Sequence, residues 1–229
     1  MQISPPYKGD RRHFFSLVMA SGFALSLLVI RILYTGRITY AFLAWNLFLA
    51  WIPLACAWLV THTRKPIMAW KLIWIPALLW LLFFPNSPYI LTDLGHLARI
   101  SEWASAPLGY DVVMLLTFTL NGLFLGFVSL FLMEQIWRAH LSEKIATIFS
   151  ITSLFLAGFG MYLGRFLRWN SWDLFHRPGF IIRDMFVRIV DPLEHPQTWA
   201  FTFLYAGLLI GIYLVVRLWK RSDSSPSAK

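Results

Sequence analysis

The sequence predicts an all-α fold: a polytopic transmembrane helical bundle of about six spans, with short interfacial amphipathic helices in the third and fifth connections. Three observations carry this reading. Of the 229 residues, 58% are hydrophobic and only 14% are charged, against about 45–50% and roughly 25% in a soluble domain. The mean hydropathy is +0.62. The apolar residues gather into six stretches, each near the ~20 residues that a helix rising 1.5 Å per residue needs to cross a bilayer.

The six stretches lie at about 14–34, 38–60, 67–84, 112–133, 145–163 and 199–219. They form one transmembrane domain over 1–221, followed by a polar tail, 222–229, expected to be disordered. Lys8, Arg11 and Arg12 precede the first stretch as they would a signal peptide. The apolar run from Phe14 to about Ile30 exceeds an ordinary signal-peptide core, and no small-residue cleavage site follows, so it reads as a retained helix. Pro53 and Pro76 each remove a backbone donor from a span. Lys71 lies near one end of the short third span and is expected to snorkel. Asn46 and Asn121 sit mid-span, where an amide finds a partner on another helix. Gly122-x-x-x-Gly126, Gly160-x-x-x-Gly164 and Gly207-x-x-x-Gly211 permit close helix approach, and an internal core of the last three helices is the simplest use for them.

The net charge is +9. The basic residues flank apolar spans, where they set topology and meet anionic headgroups. No basic, aromatic-interleaved soluble surface is present for nucleic acid. With the N-terminus inside, twelve of the 20 Lys and Arg fall in inside segments, which favours cytoplasmic N- and C-termini in a cell (inner) membrane. Cys56 is the one cysteine, so an intramolecular disulfide is excluded.

The connections hold the polar chemistry. Two spans separate the third from the fifth, so both are expected on one side of the membrane, the outside. In the third, Ser87-Pro88 starts a helix. Leu91, Leu94 and Leu97 form a stripe, Asp93 and His96 share a face, and Arg99 and Glu102 make a further pair. In the fifth, Arg165 and Arg168 share a face if the helix continues. Phe180, Ile181, Met185 and Ile189 then form the apolar side of an amphipathic helix, opposite Arg183, Asp184, Arg188 and Asp191, and Pro192 ends it. Asn170-Ser171-Trp172-Asp173-Leu174-Phe175-His176 repeats the Asn-Ser and Asp-Leu-x-His of Asn86-Ser87 and Asp93-Leu94-Gly95-His96.

Residues 82–94, Leu-Phe-Phe-Pro-Asn-Ser-Pro-Tyr-Ile-Leu-Thr-Asp-Leu, and 164–174, Gly-Arg-Phe-Leu-Arg-Trp-Asn-Ser-Trp-Asp-Leu, resemble the two signature stretches of a bacterial membrane family catalogued as domain of unknown function 1361. The likeness in hydrophobic layout extends over roughly residues 14 to 218. It implies a multi-pass integral membrane protein of bacterial type and supplies no catalytic residues; His176 lies outside the resembling stretch.

The function read from the sequence is that of a multi-pass bacterial membrane protein of unknown molecular function, with an outward-facing polar site built from 85–110 and 164–198. Binding residues are expected among Asn86, Tyr89, Arg165, Arg168 and Asn170, because a guanidinium fork matches phosphate oxygens. Asp93, His96 and Asp173 are the catalytic candidates. With His176 they form a set suited to a divalent metal ion. Three further readings stand beside one another. One is a metal-dependent hydrolase or transferase acting on a lipid-linked or envelope phosphate. Another is a small-solute transporter, or a binding subunit with an envelope-complex partner. In the simplest, Asp93 pairs or caps a helix, Asp173 neutralises Arg165 or Arg168, and the histidines are boundary residues. The lipid bilayer is the one partner the composition requires.

Overall fold

In lipid, a chain can satisfy its own backbone donors and acceptors by becoming helical. The computed structural model describes residues 10–62, 69–99 and 106–222, and they contain helices, turns and no strand. In order they are α1 (Asp10–Thr35), α2 (Phe42–His62), α3 (Ala69–Phe83), α4 (Asn86–Tyr89), a 3-10 helix (Ile90–Arg99), α5 (Leu108–His140), α6 (Glu143–Phe166), α7 (Asp173–His176), α8 (Pro178–Val190) and α9 (Pro196–Ser222). Six helical stretches are long and apolar enough to cross a membrane. The side chain of Lys71, the Arg99–Glu102 pair and the tail beyond Ser222 lie outside the described residues.

Contacts gather in two compact units, Met1–His140 and Leu141–Lys229. In the first, α2 packs along α5 and α3, and α5 also receives α1 and the 3-10 helix. Leu28, Leu43, Leu47, Ala50, Ile90, Leu115 and Phe118 are part of its apolar core. Gly36 ends α1 in the left-handed region (φ 65°), and its N–H donates to the Ile32 carbonyl at 2.8 Å. A Cβ is disfavoured in that conformation.

The third helix breaks at Phe84-Pro85 and does not leave the unit. Apolar sequence runs on from Trp74 to Leu97. Phe84, Ser87, Ile90, Thr92 and Asp93 are all buried. The short helix expected in the third connection is present, but as a 3-10 helix whose first half is packed inside. The triplet spacing of Leu91, Leu94 and Leu97 is the repeat of a three-residue turn, and Leu94 and Leu97 pack on the core. Gly122 and Gly126 of α5 make room for this segment. A Cβ at Gly122 would stand 2.6 Å from the Ser87 carbonyl oxygen, and one at Gly126 would stand 3.0 Å from the Ser87 Cβ.

In the second unit α6 and α9 pack along their length. Ser142 caps α6, its Oγ accepting from the Ile145 N–H at 3.2 Å. Gly158 of α6 lies against the Thr202 carbonyl and Ala206 of α9, whereas Gly207 and Gly211 face open space. The aromatic rings of Phe155, Phe159, Trp199 and Phe203 interleave along the pair. Pro178 occupies the first turn of α8, where its missing N–H costs nothing.

Candidate functional site

Each signature stretch builds a polar site within its own unit. In the first unit, Asp93 is 1% exposed. Its Oδ2 accepts from Asn46 Nδ2 of α2 at 2.9 Å. His96 Nε2 stands 3.8 Å from Oδ1, and the His96 ring packs against Phe42 with centroids 5.0 Å apart. Ser87 Oγ donates to the Ala50 carbonyl at 3.0 Å, crossing to α2. Asn86 Nδ2 donates to the Phe83 carbonyl at 2.9 Å, closing the break after α3. Tyr89 N–H donates to the Pro85 carbonyl at 3.0 Å. Asn86 and Tyr89 thus stand on α4, at the start of the buried segment.

In the second unit α6 ends at Phe166, and the chain turns through Arg168, which has φ 59°. A non-glycine residue rarely adopts this conformation. The turn is held from both sides. Trp169 N–H donates to the Leu163 carbonyl at 3.2 Å. Asp173 Oδ2 accepts from the Asn170 backbone N–H at 2.8 Å and from its Nδ2 at 3.2 Å. Trp169 Nε1 donates to Asp184 Oδ2 of α8 at 2.8 Å. Between these supports lies an open pocket of about 670 Å³, lined by Leu167, Arg168, Trp169, Asn170, Trp172, Asp173, His176 and Arg177. His176 Nδ1 is 3.0 Å from the Trp172 carbonyl. A carbonyl only accepts, so Nδ1 is the nitrogen that donates here, and Nε2 is left for other partners.

Residues 45–212 match the family model described as Protein of unknown function (DUF1361). The chain belongs to this family. Both polar sites of this DUF1361 member, at 84–99 and 167–177, lie within the matched region. No curated protein and no solved structure matches the chain.

The expected site residues of this DUF1361 chain fall in both units. Arg168, Asn170, Asp173 and His176 line one pocket, and Arg165 stands in the last turn of α6 outside its lining. Asp93 and His96 are neighbours in the first unit. Among the described residues, no three of His, Cys, Asp or Glu are grouped to hold a metal. Asp173 is engaged by Asn170, so its first task is to shape the turn.

Sequence reasoning missed three features. Arg177, Trp169 and Trp172 line the pocket; a Trp-rich run directly after a span is the signal that could have pointed to them. The polar side assigned to α8 is in part engaged by its own unit: Asp184 accepts from Trp169, and the Arg188 side chain is largely buried. Arg188 Nη1 donates to the Asp184 carbonyl at 2.7 Å, and Trp199 Nε1 donates to the Arg188 carbonyl at 3.0 Å. The third is a buried ion pair, Arg31 with Asp111, whose side chains are 0% and 3% exposed. The Arg31 guanidinium also lies 4.3 Å from the Tyr40 ring centroid. Burial pushes the Tyr40 phenol above its ordinary value; the Asp111 carboxylate adds to this and the Arg31 charge opposes it.

Proposed function

We propose that this inner-membrane protein binds the phosphate-bearing headgroup of a lipid or lipid-linked envelope intermediate, on the outer face, in the pocket at 167–177. One observation carries the reading: two arginines, Arg168 and Arg177, line a single open pocket with Asn170, His176 and two tryptophans, immediately after a membrane-spanning helix. Guanidinium groups hold phosphate oxygens through paired charge-assisted hydrogen bonds. Indole rings favour the headgroup layer, where one end of a ligand is wet and the other apolar. The pocket volume of about 670 Å³ falls in the range of small-ligand sites. The outer placement follows from the excess of Lys and Arg in the opposite segments.

A hydrolase or transferase acting on the same phosphate is a second reading. The orientation of His176 favours it, because its Nδ1 is held against the Trp172 carbonyl and its Nε2 is the nitrogen left to meet a ligand.

The test is binding of phosphate-bearing lipids to purified protein in nanodiscs, with a zwitterionic lipid and inorganic phosphate as controls. Arg168→Ala or Arg177→Ala should each weaken binding about tenfold, the loss of one charge-assisted contact. Unchanged binding in both variants would remove the reading. His176→Gln separates the two readings: it leaves binding intact and abolishes turnover if the histidine is a base.

A further inference from the structure

The fifth connection holds one more surface, and it lies on α8. This helix has two unlike faces. One is packed on its own unit: Ile181 is buried, Met185 joins the Phe159–Tyr162–Leu163 cluster, and Asp184 and Arg188 make the bonds to Trp169 and from Trp199. The other carries Ile182, Phe186, Ile189 and Val190, exposed by 56%, 64%, 55% and 53%. These positions are i, i+4, i+7 and i+8, one continuous stripe. Leu193, 92% exposed, prolongs it past the helix end. Of the apolar face expected from the sequence, Ile181 and Met185 are taken up by packing, whereas Phe180 and Ile189 stay exposed. The exposed stripe shares Ile189 with that expected face and adds Ile182, Phe186 and Val190 to it.

What covers this stripe is set by where α8 is fastened. Its middle is bonded to Trp169, three residues past the end of α6. Its C-terminal turn is bonded to Trp199, in the first turn of α9. Both α6 and α9 are long and apolar enough to span the membrane. Only the five residues 191–195 separate α8 from α9, a reach of at most about 18 Å. The helix is thus held across the mouth of two membrane-spanning helices. Phe166 of α6, and Phe203 and Leu204 of α9, expose apolar surface on these same helices. Arg183 is exposed beside the stripe, and Asp191 and Glu194 are exposed past the helix end.

We propose that the Ile182–Phe186–Ile189–Val190–Leu193 face of α8 is seated in the acyl-chain layer of the bilayer, so that the pocket tied to this helix opens at headgroup depth and is loaded laterally with a lipid ligand. The loading step rests on the phosphate-headgroup reading above; the seating of α8 does not. An in-plane helix of this kind buries one apolar face at the headgroup–acyl boundary and keeps its polar groups on the other.

The test places a polarity-sensitive fluorophore on Phe186→Cys in a Cys56→Ala background, reconstituted in phosphatidylcholine–phosphatidylglycerol nanodiscs, with Asp191→Cys as the reference. Seating in the bilayer gives strong quenching by lipids carrying a nitroxide high on the acyl chain. It also gives at least a fivefold weaker response to aqueous iodide at 186 than at 191. Equal iodide quenching at both positions overturns the proposal. Protection at 186 that varies with the protein-to-lipid ratio in vesicles also overturns it, because the stripe is then covered by a second copy. Protection from both iodide and lipid nitroxide at every ratio overturns it too, since another part of the chain is then the cover. Adding Arg168→Ala keeps the two readings apart: lipid quenching at 186 persists whether or not headgroup binding survives.

Discussion

Arg31 Nε donates to Asp111 Oδ1 at 2.7 Å, and Nη2 donates to Oδ2 at 3.2 Å. This two-pronged bond joins α1 to α5 out of contact with water. Arg31 Nη1 is buried without a hydrogen-bond partner. The pair is therefore strongly asymmetric toward mutation. Removing one partner strands a charge, whereas removing both does not. Asp111→Ala should destabilise the protein by about 3–5 kcal/mol, read as a lowered thermal midpoint in detergent. Arg31→Met with Asp111→Leu should recover most of the loss. A double variant as unstable as the single one would show that the bond itself, not the stranded charge, sets stability.

Tyr40 makes the same corner sensitive to alkali. Its folded-state pKa is raised above the phenol's ordinary value, so folding favours the protonated phenol. The resulting stability is fully present below the unfolded value and is lost as pH rises through the folded one. The thermal midpoint should fall above pH ~10. Tyr40→Phe, which cannot ionise, should show a smaller fall over the same range. Parallel alkaline profiles would remove Tyr40 as the cause.

The glycines of the spans should separate into two classes. Gly122→Ala puts a Cβ 2.6 Å from a backbone oxygen and 2.9 Å from Ile90 Cδ1. Backbone yields little, so a cost of about 1–3 kcal/mol is expected. Gly207→Ala meets nothing within 4 Å, and alanine favours a helix by up to about 1 kcal/mol. Thermal midpoints should therefore move in opposite directions. A tolerated Gly122→Ala would mean that the broken third helix is not held against α5.

Arg168→Gly should divide stability from binding. Glycine is at ease at a φ of 59°, which relieves a left-handed penalty of about 1–2 kcal/mol. The guanidinium is lost at the same time. The variant should be slightly more stable than the parent and bind phosphate-bearing lipid about tenfold less tightly. Loss of both properties together would assign Arg168 a structural role.

The six spans were legible because bilayer crossing demands a run of apolar residues that few other structures need. The pocket was half legible: Arg168, Asn170, Asp173 and His176 lie close in sequence, so local spacing brings them near one another. Arg177 and the indoles entered only through the turn at Arg168. The α8 polar face was misassigned for a tertiary reason. Periodicity marks Asp184 and Arg188 as solvent-facing, but the Asp184 carboxylate accepts from Trp169 Nε1 and the Arg188 side chain is largely buried. The Arg31–Asp111 bond joins residues 80 apart, and its signal was a basic residue ending one span and an acidic residue opening another. The 3-10 winding was written in the triplet spacing of Leu91, Leu94 and Leu97, which an α-helical reading accommodates almost as well.

The break after Phe83 has a consequence for reach. The fifteen described residues of α3 account for ~22 Å as an α-helix, and a hydrocarbon layer is ~30 Å thick. Residues Ile90–Leu97, wound as a 3-10 helix, add ~16 Å at ~2.0 Å per residue. The apolar stretch long enough to cross thus runs from Trp74 through the Pro-Asn-Ser-Pro turn and into the 3-10 helix as far as Leu97. A substitution that rewound those eight residues as α-helix would draw in the far end by ~4 Å, and the mismatch would fall on the surrounding lipid.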